Sequence, residues 1–464
     1  MDKYDVIVIG SGPGGYVAAI RAAQLGFKTA VVEKQQLGGI CLNWGCIPTK
    51  ALLKSAQVFE YLKHAQDYGV HAENIAADLP AMVNRSRKVA SKMSKGIEFL
   101  FRKNNVTAIF GHGQIKNNRT VEVTDSAGKK NTYTANHIII ATGARSKQLP
   151  TLPIDGQYVL GYRDALVLKD LPKRMVVVGS GAIGVEFAYF YNALGVEVTL
   201  VEYLPRIVPR EDEEVSKQLE RSFKKQGIKV ITKASVQKVV PNGKKGVTVT
   251  IEHNGKKQTI TADKVLSAVG VVPNVEGIGL ENIGIQLQDG YIKVDAFYRT
   301  NISGVYAIGD VIQGPALAHV ASHEGIICVE KIKGLDVEPM DYNNIPSCTY
   351  CLPEVASVGY TEQQAKEAGY EIKVGKFPFT ASGKASAAGH TEGFVKVIFD
   401  AKYGEWLGAH MIGAGVTELI SEVVTARKLE TTGHEIIKSV HPHPTLSEAI
   451  MEAVAAAYGE VIHI

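Results

Sequence analysis

Val6-Ile-Val-Ile9 running into Gly10-Ser-Gly12-Pro-Gly-Gly15, and Met175-Val-Val-Val178 running into Gly179-Ser-Gly181-Ala-Ile-Gly184, are two occurrences of one pattern. Each reads as a buried strand, a GxGxxG loop and the start of a helix. In each, an alanine-containing helix ends near a glycine (Gly26, Gly195), and a second strand ends on a glutamate (Glu33, Glu202). The first glycine and the glutamate are 23 residues apart in both copies (10 to 33, 179 to 202). A lone GxGxxG is weak; the strand context, the acid at the right distance and the repetition in step make two dinucleotide-binding units. The first glycine makes the tight turn, the second admits the pyrophosphate, and the third lets helix pack on strand. The helix amino terminus offers N–H groups and partial positive charge to the phosphates.

Working outward, further apolar runs end on glycine at His137-Ile-Ile-Ile-Ala-Thr-Gly143, Lys264-Val-Leu-Ser-Ala-Val-Gly270 and Gly304-Val-Tyr-Ala-Ile-Gly-Asp310. Such runs suit strands of a parallel sheet covered on both faces. Pro150 to Pro172 reads as a connection between the halves. Past about residue 345 the glycine loops stop. Strands are expected at Lys373–Pro378, Gly393–Asp400 and Trp406–Gly413, with helices near Thr361–Ala368 and Val416–Leu429. The expected fold is α/β: two Rossmann-like dinucleotide-binding domains plus a carboxy-terminal α+β domain. The expected boundaries are 1–147, 148–274, 275–345 (returning to the first domain) and 346–464.

The chain has 464 residues, 45% hydrophobic and 21% charged, with a formal net charge of +4. Its length requires several domains. The mildly basic balance, without a clustered basic run, makes no case for nucleic acid. Five cysteines are too few for a disulfide scaffold, and their odd number suits a reducing compartment. No apolar run reaches 18 residues and the first residues show no leader, so no membrane span is expected. The cytoplasm of a bacterium is the expected location, with a processed organelle matrix as the alternative.

Cys41 and Cys46 lie in Gly38-Gly-Ile-Cys-Leu-Asn-Trp-Gly-Cys-Ile-Pro-Thr-Lys50, just downstream of the first unit. Two thiols beside a cofactor pocket suggest a redox couple. A zinc site would want a second pair of ligands, and none is near, so no metal is expected; two unconnected buried cysteines are the other reading. Residues five apart in a regular helix lie roughly 8.6 Å apart at Cα, whereas a disulfide tolerates about 4.4–6.8 Å. If the two pair, the backbone must break, and Gly45 and Pro48 are local reasons for a break. Lys50, four residues after Cys46, would share its helical face and favour thiolate. Glu202 suits a ribose diol and repels a phosphate, so the second unit should prefer NAD to NADP; Arg206, four residues on, would soften that preference.

These motifs, with Ala307-Ile-Gly-Asp310, Pro353-Glu-Val-Ala-Ser-Val-Gly359 and His441-Pro-His-Pro-Thr-Leu-Ser-Glu448, resemble the pyridine nucleotide–disulfide oxidoreductase family (class I) over essentially the whole chain. The match is best to the branch that oxidises protein-bound lipoyl dithiols. The resemblance implies FAD on the first unit, NAD on the second, and a homodimer formed through the carboxy-terminal domain. It implies a lipoyl-bearing acyltransferase or carrier protein as partner, in a 2-oxoacid dehydrogenase or glycine cleavage complex.

The resemblance also implies residue roles. Cys46 would sit against the flavin and Cys41 would meet substrate. Lys50, paired with Glu186, would lie beside the flavin. His443 would act as base, oriented by Glu448, and would reach the cysteines of the other subunit. Gly10, Gly12, Gly15, Glu33, Lys34, Gly39, Gly113, Thr142, Gly143, Asp310 and Ala318 would hold FAD. Gly179, Gly181, Gly184, Glu186, Glu202 and Gly270 would hold NAD. Another disulfide reductase of the same family, or a catalytically silent structural flavoprotein, are the alternatives.

Several residues carry a second reading. Thr445-Leu-Ser-Glu448 is also a capping box for the following helix, so Glu448 has two candidate roles. Asp310 also suits a plain Gly-Asp turn. Val271 stands where many relatives have arginine, which puts one NAD contact in doubt. Cys348-Thr-Tyr-Cys351 has CxxC spelling without a thioredoxin-like context and reads as packing, as does Cys328 in its apolar helix.

Overall fold

The computed structural model describes residues 2–243 and 246–464. Its three largest sheets organise it. In the first, Thr107–Phe110, Thr29–Glu33, Asp2–Ile9 and Lys130–Ile140 run parallel and side by side. The long strand Lys130–Ile140 serves two partners on its far edge. Residues 130–134 pair antiparallel with Thr120–Thr124, and residues 138–140 pair parallel with Val305–Ala307. The segment after residue 300 therefore returns to the first unit. Val6 to Ile9 and Ile138 to Ile140 are almost wholly buried, as expected of strands covered on both faces.

The second sheet is parallel throughout, in the order Lys229–Ile231, Glu197–Val201, Arg174–Val178, Lys264–Ser267, Val159–Leu160. The last strand corrects one expectation. The segment Pro150 to Pro172 is not only a connection: Val159 and Leu160 extend the sheet by pairing with Val265 and Leu266, and Tyr162–Ala165 is helical. A two-residue strand is too short to show any periodicity in sequence. Antiparallel pairing of Ala144–Ser146 with Val271–Pro273 ties together the two chain crossings between the units.

The third sheet is antiparallel: Ser347–Thr349, Glu354–Gly359, Trp406–Gly413, Phe394–Asp400, Ile372–Pro378. The helices Val416–Lys428 and Glu448–Tyr458 cover one face. Alternation along the strands divides the side chains between two cores. Ala356, Val395 and Met411 pack with those helices, whereas Val355, Phe394 and Ile412 pack against the second unit. That is why Phe394–Asp400 and Trp406–Gly413 are buried along their full length. The expected helices and strands of this domain stand within a residue or two of the positions read from sequence.

Candidate active site

The two glycine loops share their backbone conformation and their glycine environments. Gly10 and Gly179 have φ +103° and +97°, which only glycine adopts readily. A Cβ on Gly15 would run into the Gly10 carbonyl oxygen, and one on Gly184 into that of Gly179. A Cβ on Gly12 or Gly181 would meet nothing within 4 Å. So the third glycine of each loop is required by helix–strand packing, while the second faces an open cradle at the helix amino terminus.

The acidic residues match as closely. Glu33 Oε2 accepts from the Ser11 backbone N–H (3.0 Å) and hydroxyl (2.6 Å), and its Oε1 accepts from the Gln35 N–H (2.7 Å). Glu202 repeats this with Ser180 (2.8 and 2.6 Å) and Leu204 (2.7 Å). Each buried carboxylate braces its own glycine loop and keeps Oε1 lone-pair capacity for a ribose hydroxyl. The serine after the first glycine, identical in the two loops, was the sequence signal for this brace. Arg206 turns away from Glu202, donating to the Pro209 carbonyl at 3.2 Å.

The disulfide segment is attached to the first loop directly. The Gly38 N–H donates to the Ser11 carbonyl at 3.0 Å, and a Cβ on Gly39 (φ +59°) would clash with Gly12. Cys41 and Cys46 form a disulfide, with Cα atoms 4.7 Å apart. The helix does break as pairing requires: Gly39–Trp44 stops, Gly45 takes φ −137° and ψ −112°, and Cys46–Lys63 begins. Pro48 is not the breaker. It sits in the first turn of the second helix, where its missing N–H has no intrahelical partner to lose. Cys46 thus occupies the first position of an 18-residue helix, whose amino-terminal field favours a thiolate once the disulfide is reduced.

Lys50 Nζ donates to both oxygens of Glu186 at 2.9 Å, joining the redox helix to the helix Ala182–Ala193 of the second unit. Tyr350 completes the arrangement unannounced by sequence. Its backbone N–H reaches Glu186 Oε1 at 3.0 Å, and its ring lies 4.4 Å from Lys50 Nζ. Neither contact has a sequence signature, because the three residues lie far apart in the chain.

Asp310 lies at the carboxyl end of Val305–Ala307. Burial pushes its carboxyl upward, and a bond from its own backbone N–H opposes this. Glu324, fully buried on the helix Ala318–Lys333, braces the same turn: Oε2 accepts from the Gly309 N–H (2.6 Å) and Oε1 from the Tyr342 hydroxyl (2.7 Å). Sequence reading missed Glu324. Ala318 opens that helix, with no side chain capping its amino terminus. A Cβ on Gly143 (φ +68°) would meet nothing within 4 Å, like one on Gly270 (φ +103°). The Thr142 hydroxyl donates to the Asn274 carbonyl at 2.7 Å. Gly113 abuts Val32 and Ile9 near the ends of their strands, and Lys34 is exposed just beyond Glu33. Open second glycines, a desolvated carboxylate and uncapped helix termini fit a dinucleotide in each unit.

His443 and Glu448 stand together, with Nδ1 2.8 Å from Oε1. Glu448 Oε2 meanwhile accepts from the Thr445 N–H at 2.8 Å. The two candidate roles of Glu448 therefore coexist, one on each oxygen, and no side-chain movement is needed. The box is only half formed: the Thr445 hydroxyl donates backward to the Pro442 carbonyl, and the helix starts at Glu448 itself. His443 is 77% exposed, and among the described residues nothing engages its Nε2. His441 differs. Its Nδ1 faces the Ser439 carbonyl (3.0 Å) and its Nε2 faces Glu422 (2.9 Å), so neither nitrogen is free to act as a base.

The remaining cysteines are free and held as thiols. Burial pushes Cys348 up to about 11 and raises Cys328 and Cys351 as well.

Comparison with known proteins agrees with this geometry. Residues 4–325 match the pyridine nucleotide-disulphide oxidoreductase family, and residues 345–454 match the dimerisation domain of the same family. The chain is 51% identical to a dihydrolipoyl dehydrogenase of Zymomonas mobilis, covering 100% of this chain and 99% of the relative. It is 45% identical to that of Bacillus subtilis, covering 99% of each. Among solved structures, LpdA of Mycobacterium tuberculosis superposes with a TM-score of 0.90 at 29% identity, covering 98% and 99% of the two chains. With the disulfide, the paired loops and full-length similarity in agreement, this chain belongs to the pyridine nucleotide-disulphide oxidoreductase family.

Proposed function

We propose that this chain is a dihydrolipoyl dehydrogenase, oxidising the reduced dithiol of a lipoyl group to its disulfide while NAD is reduced. The observation that carries the reading is the Cys41–Cys46 disulfide hydrogen-bonded, through Gly38, to the first dinucleotide loop. In this reading segments 1–147 and 275–345 hold FAD, 148–274 holds NAD, and 346–464 forms the homodimer contact. The partner is a lipoyl-bearing acyltransferase or carrier protein of a multienzyme complex. Among the described residues no helix is long and apolar enough to cross a membrane.

The chain's own residues supply thiol exchange and proton movement. With Nδ1 engaged by Glu448, His443 keeps Nε2 as the acceptor for a substrate thiol proton. Its exposure supports a role at the partner subunit's cysteines. The substrate thiolate attacks Cys41 Sγ; the Cys41–Cys46 bond breaks and Cys46 leaves as thiolate. The exposed His443 releases the first proton to solvent. It then takes the second substrate thiol's proton as that thiol attacks the substrate sulfur and displaces Cys41, and hands it to the leaving Cys41 sulfur. The substrate leaves as a cyclic disulfide, with the enzyme two electrons richer as a dithiol. When bound, FAD supplies the acceptor for that electron pair and the route to NAD. Lys50 holds positive charge beside Cys46, and Glu186 fixes its position. Gly12, Gly143, Asp310, Glu33 and Ala318 would hold FAD; Gly181, Glu202 and Gly270 would hold NAD. A braced carboxylate at Glu202 disfavours the extra phosphate of NADP.

The test is reduction of lipoamide by NADH, and NAD reduction by dihydrolipoamide, with wild type and Cys46→Ser. Wild type should turn over in both directions and the variant in neither. A variant as active as wild type, or a wild type that strongly prefers NADPH, would refute the reading.

A further inference from the structure

The helix Leu79–Lys103 carries Arg85, Arg87, Lys88, Lys92, Lys95, Arg102 and Lys103 against a single acid, Glu98. That is a net +6 on 25 residues, whereas the whole chain nets +4, so everything else nets −2. At about 100° per residue, Arg85, Lys88, Lys92, Lys95, Arg102 and Lys103 fall within an arc of roughly 100° and run for about 27 Å along the axis. All six are exposed, and none enters an ion pair among the described residues. Phe99, 58% exposed, stands in the same arc. A shallow groove lined by Ala81, Asn84, Arg85, Lys88, Val89 and Lys92 opens along the amino-terminal half.

The buried face of this helix backs the redox segment. The Ser86 hydroxyl donates to the Pro48 carbonyl (2.9 Å), Arg87 donates to the Asn43 carbonyl (2.5 Å), and the Ser94 hydroxyl donates to the Leu37 carbonyl (2.8 Å). A body seated on the outer face is one helix diameter, about 10 Å, from the chain bearing Cys41 and Cys46.

We infer that this cationic stripe is the docking surface for an acidic face of the protein that carries the dithiol substrate. The inference rests on the functional reading above and deepens it. Unpaired like charges on the helix that backs the redox segment steer an anionic partner and raise its association rate, by about 10- to 1,000-fold in favourable cases. The aromatic ring amid the cations suits a protein surface better than a phosphate backbone, because an apolar anchor inside a polar rim is the usual plan of a protein interface.

The test compares free dihydrolipoamide with a lipoylated carrier domain at low and at physiological salt. The enzymes are wild type, a charge-reversal triple variant (Lys88→Glu, Lys92→Glu, Lys95→Glu) and a neutral triple variant at the same positions (→Gln). Free dihydrolipoamide should be turned over equally by all three. For the carrier domain, kcat/KM should fall by about tenfold or more on reversal and by less on neutralisation, and the wild-type salt dependence should flatten. Carrier kinetics unchanged by reversal, or lost in step with the free dithiol, would overturn the surface and leave the activity standing. So would loss of binding to a duplex DNA with carrier turnover intact, which would assign the stripe to nucleic acid. Wild type inactive on free dihydrolipoamide would overturn the functional reading first, and the surface with it.

Discussion

Lys50 and Glu186 meet at 2.9 Å through both carboxylate oxygens, so a residue of the redox helix is held by one from the nucleotide unit that follows it. Glu186 is buried and Lys50 half-buried. Glu186→Gln preserves shape but removes the charge that holds the ammonium. The expected result is a folded protein, by near-UV circular dichroism, whose NADH–lipoamide turnover falls by about a hundredfold, the scale of losing one well-placed catalytic interaction. Lys50→Gln should lose a similar amount. The double variant should lose little more, because the two act as one unit.

The second glycine of each loop should separate folding from binding. Gly181→Val places its side chain in open space, so the unfolding midpoint should stay near that of wild type. In stopped flow, dihydrolipoamide should still reduce this variant's flavin, with NAD reduction lost. Gly184→Val drives a side chain into the Gly179 carbonyl and should yield no folded protein. Equal behaviour of the two variants would contradict the division of labour between these glycines.

Glu448 offers a tautomer test. In Glu448→Gln an amide oxygen still accepts from Thr445, while an NH2 faces His443 Nδ1 and moves the ring proton to Nε2, where a base is needed. Turnover should fall by about a hundredfold or more with little change in stability, whereas Glu448→Ala should also lose about 1 kcal/mol with the hydrogen bond from the Thr445 N–H. Burial works against the carboxylate, yet the Thr445 N–H and His443 hold Glu448 below its ordinary value. A lowered carboxyl contributes stability above the unfolded value, near 4.3, and loses it as pH falls further. The His443–Glu448 pair should therefore survive the weakly acidic range, and the acid limb of the pH–rate profile should not report Glu448.

Lys396 is 2% exposed and meets Asp212 (3.0 Å), Glu214 (2.9 Å) and Glu362 (2.7 Å), pinning the second unit to the third sheet. Burial opposes its charge, but the carboxylates win and raise it, and all three carboxyls are lowered in turn. Lys396→Met leaves three acids facing one another and should cost about 3 kcal/mol at neutral pH, read from denaturant midpoints. Because the carboxyl values are depressed, that deficit should shrink as pH falls below about 4 and the acids protonate. A deficit that grows in acid would refute this account.

Some features of this protein were legible in its residues alone. The paired GxGxxG loops, the glutamates 23 residues on and the two cysteines are local patterns, and local patterns dictate turns, strand ends and helix starts. Hence the two nucleotide units, the break between Cys41 and Cys46 and the helices of the last domain were readable, and Lys50 with Glu186 followed from family resemblance. Other features depend on chain segments far apart. Val159–Leu160 becomes a strand only because Val265 and Leu266 lie beside it. Glu324 matters only because Gly309 and Tyr342 converge on it, and Tyr350 only because it closes on Lys50 and Glu186. In sequence the two roles of Glu448 were compatible if its side chain could switch, and a backbone turn that offers each carboxylate oxygen its own partner lets both hold without switching. Likewise, cations spaced three and four apart look scattered in the chain and become one stripe only on a straight helix whose other face is buried. Sequence determined which short segments bind and turn; the tertiary structure decided which distant side chains share a charge or a hydrogen bond, because those energies depend on separation in space rather than along the chain.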